Sequence, residues 1–177
     1  RPYMGAAGTS VLKIFDMTAA SAGLNERAAR AAGIEYEKVI LSPVSHAAYY
    51  PGGKVMTLKL LFEKNGRILG AQIVGFDGVD KRIDVLAAAM QAKLKATDLC
   101  DLDLAYAKDP VHMAGFVAEN VLSGKVKQFF YEEALSLPRD GSVTLLDTRT
   151  EAEYSRGHAE GFDINIPVDR LRERLEE

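Results

Sequence analysis

At 177 residues the chain can hold one large domain, or one domain and part of another, and its 47% apolar content argues against disorder of the whole. A net charge of -3, with acids and bases interspersed, gives no extended positive field of the kind that phosphate backbones need, so nucleic-acid binding is not expected. The single cysteine, Cys100, excludes an internal disulfide, a paired-cysteine redox centre and a cysteine-rich zinc site within this chain, and no metal is expected.

No apolar run approaches the ~20 residues that span a bilayer, and the N-terminus lacks the charged-then-apolar order of a secretion signal. The chain is read as cytoplasmic. Residues 1–8 are a Gly/Ala-rich lead-in without hydrophobic period, which reads as an entry from something preceding. Residues 9–15 (T-S-V-L-K-I-F) read as a strand with Val11 and Lys13 on one face and Leu12 and Ile14 on the other, a pattern suited to burial on both sides. After Asp16, Thr18 and the small residues 19–23, a short helix is expected over 25–32, capped by Asn25 and stopped by Gly33. Strand character resumes over 36–41 and ends at Pro43.

The clearest element is an antiparallel hairpin. Residues 55–62 and 68–74 are strand-like runs joined by Glu63-Lys64-Asn65-Gly66-Arg67, and Asn-Gly is the pair that most readily takes positive φ in a tight turn. Just before it lie His46, Tyr49, Tyr50 and Pro51-Gly52-Gly53, a polar-aromatic cluster at the mouth of a strand, where a rigid sheet presents side chains to a partner or ligand.

Beyond the hairpin, Asp80 is expected to cap a helix whose apolar stripe is Ile83, Ala87, Met90 and Leu94, with Lys81, Arg82, Asp84 and Lys93 on its other faces. That helix should cover one sheet face. Residues 97–105 read as a turn region, Lys108 and Asp109 pair or cap the following helix, and Pro110 opens it. Its stripe is Val111, Ala114, Val117, Ala118 and Val121, and Ser123-Gly124 ends it. Met90 and Met113 fit core positions. Cys100, in D-L-C-D-L, sits among acids that disfavour a thiolate and reads as an apolar filler.

From Lys125 the character changes. Residues 129–135 form a short amphipathic turn, 138–141 a turn cluster, and 143–146 a short apolar run of the kind a buried parallel strand carries. A helix start at Thr150-Glu151, Gly157-His158, Ile164-Asn165-Ile166-Pro167 and a charged helix over 168–177 complete a second, different domain. At about 50 residues this domain is too short for a doubly covered parallel sheet and reads as cut off.

Several motifs carry a resemblance. G-T-S-V-L-K-I-F-D-M-T at 8–18, G-L-N-E at 23–26, S-H-A-A-Y-Y-P-G at 45–52 and A-K-D-P-V-H-M-A-G-F-V-A-E-N-V-L at 107–122 occur in the order of one known domain. Residues 1–125 resemble the C-terminal dimerisation domain of the FAD-dependent pyridine nucleotide-disulfide oxidoreductases, in the branch of coenzyme A-disulfide reductase, polysulfide reductase and NADH oxidase. L-L-D-T-R at 145–149, E-Y-S-R-G-H at 153–158 and I-N-I-P at 164–167 resemble the opening third of a rhodanese domain. The join of the two is typical of coenzyme A-disulfide reductase-rhodanese fusions.

The resemblance implies an α+β fold at 1–127, a mainly antiparallel sheet with helices on one face, and at 128–177 the first α/β part of a rhodanese-like domain. It implies a parent homodimer that uses FAD and NAD(P)H to reduce coenzyme A-disulfide, persulfide or polysulfide, passing electrons from nicotinamide to flavin to a cysteine to substrate sulfur. The Gly-rich turns for those cofactors and the attacking cysteine are not in this sequence, so the chain alone is expected to bind no cofactor and to be inactive. The alternative is a non-catalytic module that dimerises and binds a protein partner. Self-association is expected through the open side of the sheet and the helix at 111–122.

The same resemblance places a tyrosine of Tyr49-Tyr50 at the partner subunit's flavin and cysteine, where a phenol donates a hydrogen bond or proton to a leaving thiolate. Strand alternation then predicts one ring packed and one on the surface, with Tyr50 preferred for the site. His46, Tyr106 and Lys108 are neighbours of the substrate site, although a histidine in a polar turn is more often a capping or surface group. His112 replaces an asparagine of the relatives and is assigned no catalysis. Asp147, Arg149 and His158 match rhodanese scaffold residues, with no nucleophile to complete a triad. A further family tyrosine lies in a stretch like A-P-P-Y-S-S, which this sequence lacks between Ala107 and Lys108. Either it is deleted or the sequence given omits it, and the intact flanking motifs favour omission.

Overall fold

The computed structural model describes residues 3, 5–47, 49–106 and 108–174. Outside the described residues lie three parts of the sequence reading: the start of the lead-in (Arg1, Pro2, Met4), Ala48 and Ala107 within their motifs, and the last three residues of the helix expected to reach Glu177. The junction of Ala107 with Lys108 is therefore not described either. The chain divides into two units, Arg1–Gln128 and Phe129–Glu177.

The first unit runs β1 (Ser10–Ile14), β2 (Met17–Gly23), α1 (Glu26–Ala31), β3 (Glu37–Leu41), β4 (Met56–Phe62), β5 (Ile68–Gly75), α2 (Val79–Gln91) and α3 (Pro110–Leu122), with a 3-10 turn at Thr97–Asp101. The five strands form one sheet in the order β1-β2-β5-β4-β3, and every neighbouring pair is antiparallel. This is the α+β architecture that the sequence implies.

β4 and β5 form the expected hairpin, with Leu58 opposite Ile73 and Leu60 opposite Ala71. Its loop differs from a tight Asn-Gly turn. Gly66 alone takes the left-handed conformation, at φ 88°, while Asn65 acts through its side chain, its Oδ1 accepting from the Arg67 amide at 2.8 Å. Met56, Leu58, Leu60, Phe62, Ala71 and Ile73 turn one face of the sheet toward Ile83, Leu86 and Ala89 of α2 and Val111, Ala114 and Ala118 of α3, and together they make the core. Leu61 and Lys59 have the opposite parity. There α1 lies, with Ala29, Leu61 and Leu69 in a small second cluster.

Four expectations are corrected, and one strand had no expectation attached to it. β2 is a strand over the small residues 17–23, which carry almost no β-branched or aromatic signal. Their size has a use, because Ala20 and Ala22 are buried where α2 packs closely on β2. β1 is buried on neither side: it pairs only with β2 at the sheet edge, and Val11, Leu12 and Ile14 are exposed. α2 is capped by Gly78, at φ 64°, and not by Asp80, which falls in the first turn. Its sealed face is Val79, Arg82, Ile83, Leu86 and Ala89, so Arg82 points inward while Ala87, Met90 and Leu94 pack at the margin. Met113 is not a core residue either, since α3 turns it outward. α1 is held as expected, Asn25 accepting from the Ala28 amide at 2.9 Å.

The second unit contains α4 (Tyr131–Ala134), β6 (Leu146–Asp147), α5 (Glu151–Arg156), β7 (Ile164–Asn165), α6 (Val168–Leu171) and a 3-10 turn at Arg172–Arg174. β6 and β7 are parallel, as the apolar run suggested, but the strand covers only Leu146 and Asp147 because β7 offers two residues to pair with. Thr150 and Glu153 form a reciprocal capping box at the start of α5.

Candidate functional site

The connection from β3 to β4 is pinched into a narrow neck. Val44 bridges to Val55, the Ser45 amide donates to the Lys54 carbonyl at 2.8 Å, and the Lys54 amide donates to the Ser45 hydroxyl at 3.2 Å. His46, Ala47 and residues 49–53 are thereby presented as a turn at the end of the sheet. Gly53 has a steric reason, since a Cβ there would meet Cγ1 of Val44 at 2.6 Å and Cε1 of His46 at 3.3 Å.

Three aromatic rings meet on this turn. His46 stands edge-on to Tyr50 with centroids 5.6 Å apart, and it lies 6.0 Å from Tyr106, which comes from the segment before α3. The Lys81 ammonium sits 4.3 Å above the Tyr106 ring. Tyr49 is 87% exposed and Tyr50 65%, which overturns the expectation of one packed and one surface ring. The pair lies in a turn and not in a strand, so the alternation that was to separate them does not operate. The ring contacts of the described residues include Tyr50, His46 and Tyr106 but not Tyr49. Lys108 is exposed, and Lys81 is the lysine found at Tyr106.

Beneath the rings is a buried ionic network built on Arg82, which the sequence reading placed off the apolar stripe of its helix, and on Asp109. Arg82, 2% exposed, meets Asp109, 1% exposed, with Nη2 2.9 Å and Nε 3.2 Å from Oδ2. Nη1 donates to the Gly78 carbonyl at 3.1 Å, and Nη2 also donates to the carbonyl of buried Ser45. Asp109 in turn caps α3, its Oδ1 accepting from the Val111 amide at 3.0 Å. The guanidinium carbon lies 5.6 Å from the Tyr106 ring centre. A sequence signal existed: Arg82 stands three residues after Val79, four before Leu86 and seven before Ala89, on the buried stripe.

Two other polar groups of this unit face inward for different reasons. His112 closes a 2.7 Å hydrogen bond between its Nε2 and the Leu102 carbonyl, which fixes the chain before α3. Burial pushes the Cys100 thiol up in pKa, and the charges of Glu119 and Asp101 push it further.

In the second unit Asp147, Arg149 and His158 border an open cavity of about 640 Å³, with Gly157 and Phe162. Arg149 Nη2 lies 2.6 Å from Asp147 Oδ2 and donates to the Gly157 carbonyl at 3.0 Å, so the pair joins the end of β6 to the end of α5. The Asn165 side chain donates through Nδ2 to the carbonyls of Asp147 and Arg149, both at 2.9 Å. Hydrogen bonds from Arg149 hold the Asp147 carboxyl below the ordinary range. His158 stacks flat on Tyr154 at 3.8 Å. Among the described residues no group of three or more His, Cys, Asp or Glu side chains could hold a metal ion, and no helix is long and apolar enough to cross a membrane.

Known proteins are similar to this chain. The family described as pyridine nucleotide-disulphide oxidoreductase, dimerisation domain, matches residues 9–107. A coenzyme A disulfide reductase of Staphylococcus haemolyticus is 39% identical over 126 residues, 67% of this chain and 28% of that protein. The crystal structure of reduced Bacillus anthracis CoADR-RHD superposes with a TM-score of 0.94 at 46% identity, over 99% of this chain and 32% of the other. The NAD-dependent persulfide reductase from A. fulgidus gives 0.86 at 42%, over 98% and 32%. The chain thus spans about a third or less of the length of these relatives.

Proposed function

Because this chain belongs to the pyridine nucleotide-disulphide oxidoreductase dimerisation family, we propose that it is the dimerisation and substrate-site domain of an FAD- and NAD(P)H-dependent reductase of coenzyme A-disulfide, persulfide or polysulfide. In this reading residues 1–127 are that domain and 128–177 the first part of an attached rhodanese module, and the parent protein is a homodimer. The names of the relatives, coenzyme A disulfide reductase and persulfide reductase, support the substrate class. The likeness to the two solved structures runs through nearly the whole chain, the second unit included, and its parallel β6–β7 pair with Asp147 and Arg149 at the strand end supports the rhodanese assignment.

The observation that carries the reading is the ring cluster of Tyr50, His46 and Tyr106, at a turn whose neck is hydrogen-bonded and whose tyrosines are open to solvent. An exposed phenol on a fixed support is available to a group brought by a second subunit. Tyr50 would donate a hydrogen bond or proton to the departing thiolate, His46 would orient that ring, and Tyr49 would face the same substrate from beside it. Cys100 is unsuited to be the attacking thiolate, because its surroundings favour the neutral thiol. The described residues of this chain do not fit a dinucleotide: among them the strand pairs of the first unit are all antiparallel, and the turn after β6 (Thr148, Arg149, Thr150) has no glycine to admit a pyrophosphate. The chemistry proposed for the chain is confined to its own side chains.

In the full-length protein, Tyr50→Phe should slow disulfide reduction ~100-fold, the usual cost of losing one such donor, while flavin content and dimerisation stay intact. Tyr49→Phe should have a smaller effect. Two unchanged rates would make this turn structural only.

A further inference from the structure

We propose that Arg82 is the positioning residue of the His46–Tyr50–Tyr106 cluster: it fixes the turn and the Tyr106 segment against each other from inside the fold. Three parts of the chain that are remote in sequence end on this one guanidinium. They are the neck of the turn through the Ser45 carbonyl, the start of α2 through the Gly78 carbonyl, and the start of α3 through Asp109. His46 is the next residue after Ser45, and Tyr106 precedes Asp109 by three residues, with the Asp109 amide donating to the Tyr106 carbonyl at 3.1 Å. Besides the direct ring contacts, the turn that carries His46 and the segment that carries Tyr106 are thus joined through Arg82.

The choice of an ion pair supports this role. A buried pair loses the hydration of both charges, and a well-packed apolar pair of similar volume is often as stable or more so. What apolar side chains cannot do is hold a carbonyl and a carboxylate at defined angles. Arginine can, since its planar fork carries donors in fixed directions, and lysine has a single rotating ammonium. Asp109 completes the arrangement: Oδ1 accepts from the α3 amide and Oδ2 accepts from both Nε and Nη2 of Arg82, so the helix start and the turn share one reference point.

The role is separable from bulk stability. Arg82→Met alone would leave Asp109 buried and uncompensated, so the informative variant is Arg82→Met with Asp109→Asn, which removes both charges and keeps an acceptor for the Val111 amide. Arg82→Lys is the second variant, retaining charge without the fork. The first readout is NMR on the 177-residue chain. Cross-peaks from the His46 ring to the Tyr50 and Tyr106 rings should disappear in both variants, while those among Leu58, Ile73 and Leu86 of the core persist. Ring cross-peaks that survive in both variants overturn the proposal.

The second readout, which rests on the reductase reading above, is steady-state kinetics in the full-length protein. There both variants should lose ~100-fold in kcat, the order of cost expected for a reacting group displaced by about 1 Å, with KM little changed and flavin content intact. Lost ring cross-peaks with an unchanged kcat would overturn the positioning role. A full-length protein without reductase activity would refute the reductase reading instead, and the NMR readout alone would then decide for or against Arg82.

Discussion

Lys59 of β4 reaches across to Glu26 of α1, its ammonium 3.0 Å from Oε1, and so fastens the short helix to the face of the sheet away from α2 and α3. Glu26 also accepts from Lys38 at 2.9 Å, from the Tyr36 hydroxyl at 3.0 Å and from Arg30 at 3.2 Å. Burial raises its pKa, but the hydrogen bonds from Lys38, Lys59 and Tyr36 outweigh that and lower it from 4.5 to about 2. A folded-state value below the unfolded one means stability that is complete above pH 4.5 and lost as the pH falls from there toward 2. After allowance for solvent screening the contribution is about 2 kcal/mol. Urea midpoints at neutral pH and at pH values through that window should show this loss in the parent chain and a smaller one in Glu26→Gln. Identical pH profiles would remove Glu26 from the account.

Gly70→Ala should disrupt the centre of the sheet. Gly70 pairs with Gly23, and a Cβ on it would collide with the Leu24 carbonyl, the Leu24 amide and the Ala22 carbonyl. All three obstacles are backbone, so no rotamer change relieves them. A loss of ~2 kcal/mol or more is expected, at the upper end for overpacking. A melting temperature within a degree or two of the parent would show that β2 and β5 can separate without cost.

Cys100 should behave as an unreactive thiol. Burial is the largest cause of its raised pKa, followed by the negative charges of Glu119 and Asp101. Its reaction with a disulfide reagent at neutral pH should be slower than that of a free peptide thiol, and the rate should climb above the usual thiol range. Cys100→Ala should leave disulfide reduction by the full-length protein unchanged. Fast labelling at neutral pH would refute this.

What could be read from the sequence follows from where the physics is local. The β4–β5 hairpin was legible because two β-branched and leucine-rich runs flank one turn, and both helix caps at Asn25 and Asp109 rest on contacts within three residues. β2 was not, because Ala19, Ala20, Ser21 and Ala22 are chosen for the close approach of α2, a contact that is not local. Arg82 was read as lying off the apolar stripe, because two of its partners, Asp109 and Ser45, lie 27 and 37 residues away. For the candidate site, the residues of the ring cluster were named from motifs, yet their meeting across 60 residues, and the buried network beneath, came only from the fold.

Self-association is the remaining prediction, and two apolar surfaces can support it. On the sheet face opposite α2, register aligns Leu12 with Ala19 and Ala19 with Val74, and Ile14 pairs with Met17 on the same side. Leu12, Ile14, Met17 and Val74 are all exposed, a contiguous apolar patch of the kind that marks an interface. On α3 the outer face presents Met113 and Phe116, three residues apart and therefore adjacent. The chain is expected to dimerise using both, so Val74→Lys and Phe116→Arg should each weaken association. A buried aromatic at such a contact is typically worth about 2 kcal/mol, close to a 30-fold rise in Kd. Light scattering over a concentration series reads this directly. If only one variant shifts the equilibrium, the interface is confined to that face, and a parent chain that stays strictly monomeric at the highest concentration would refute self-association through either.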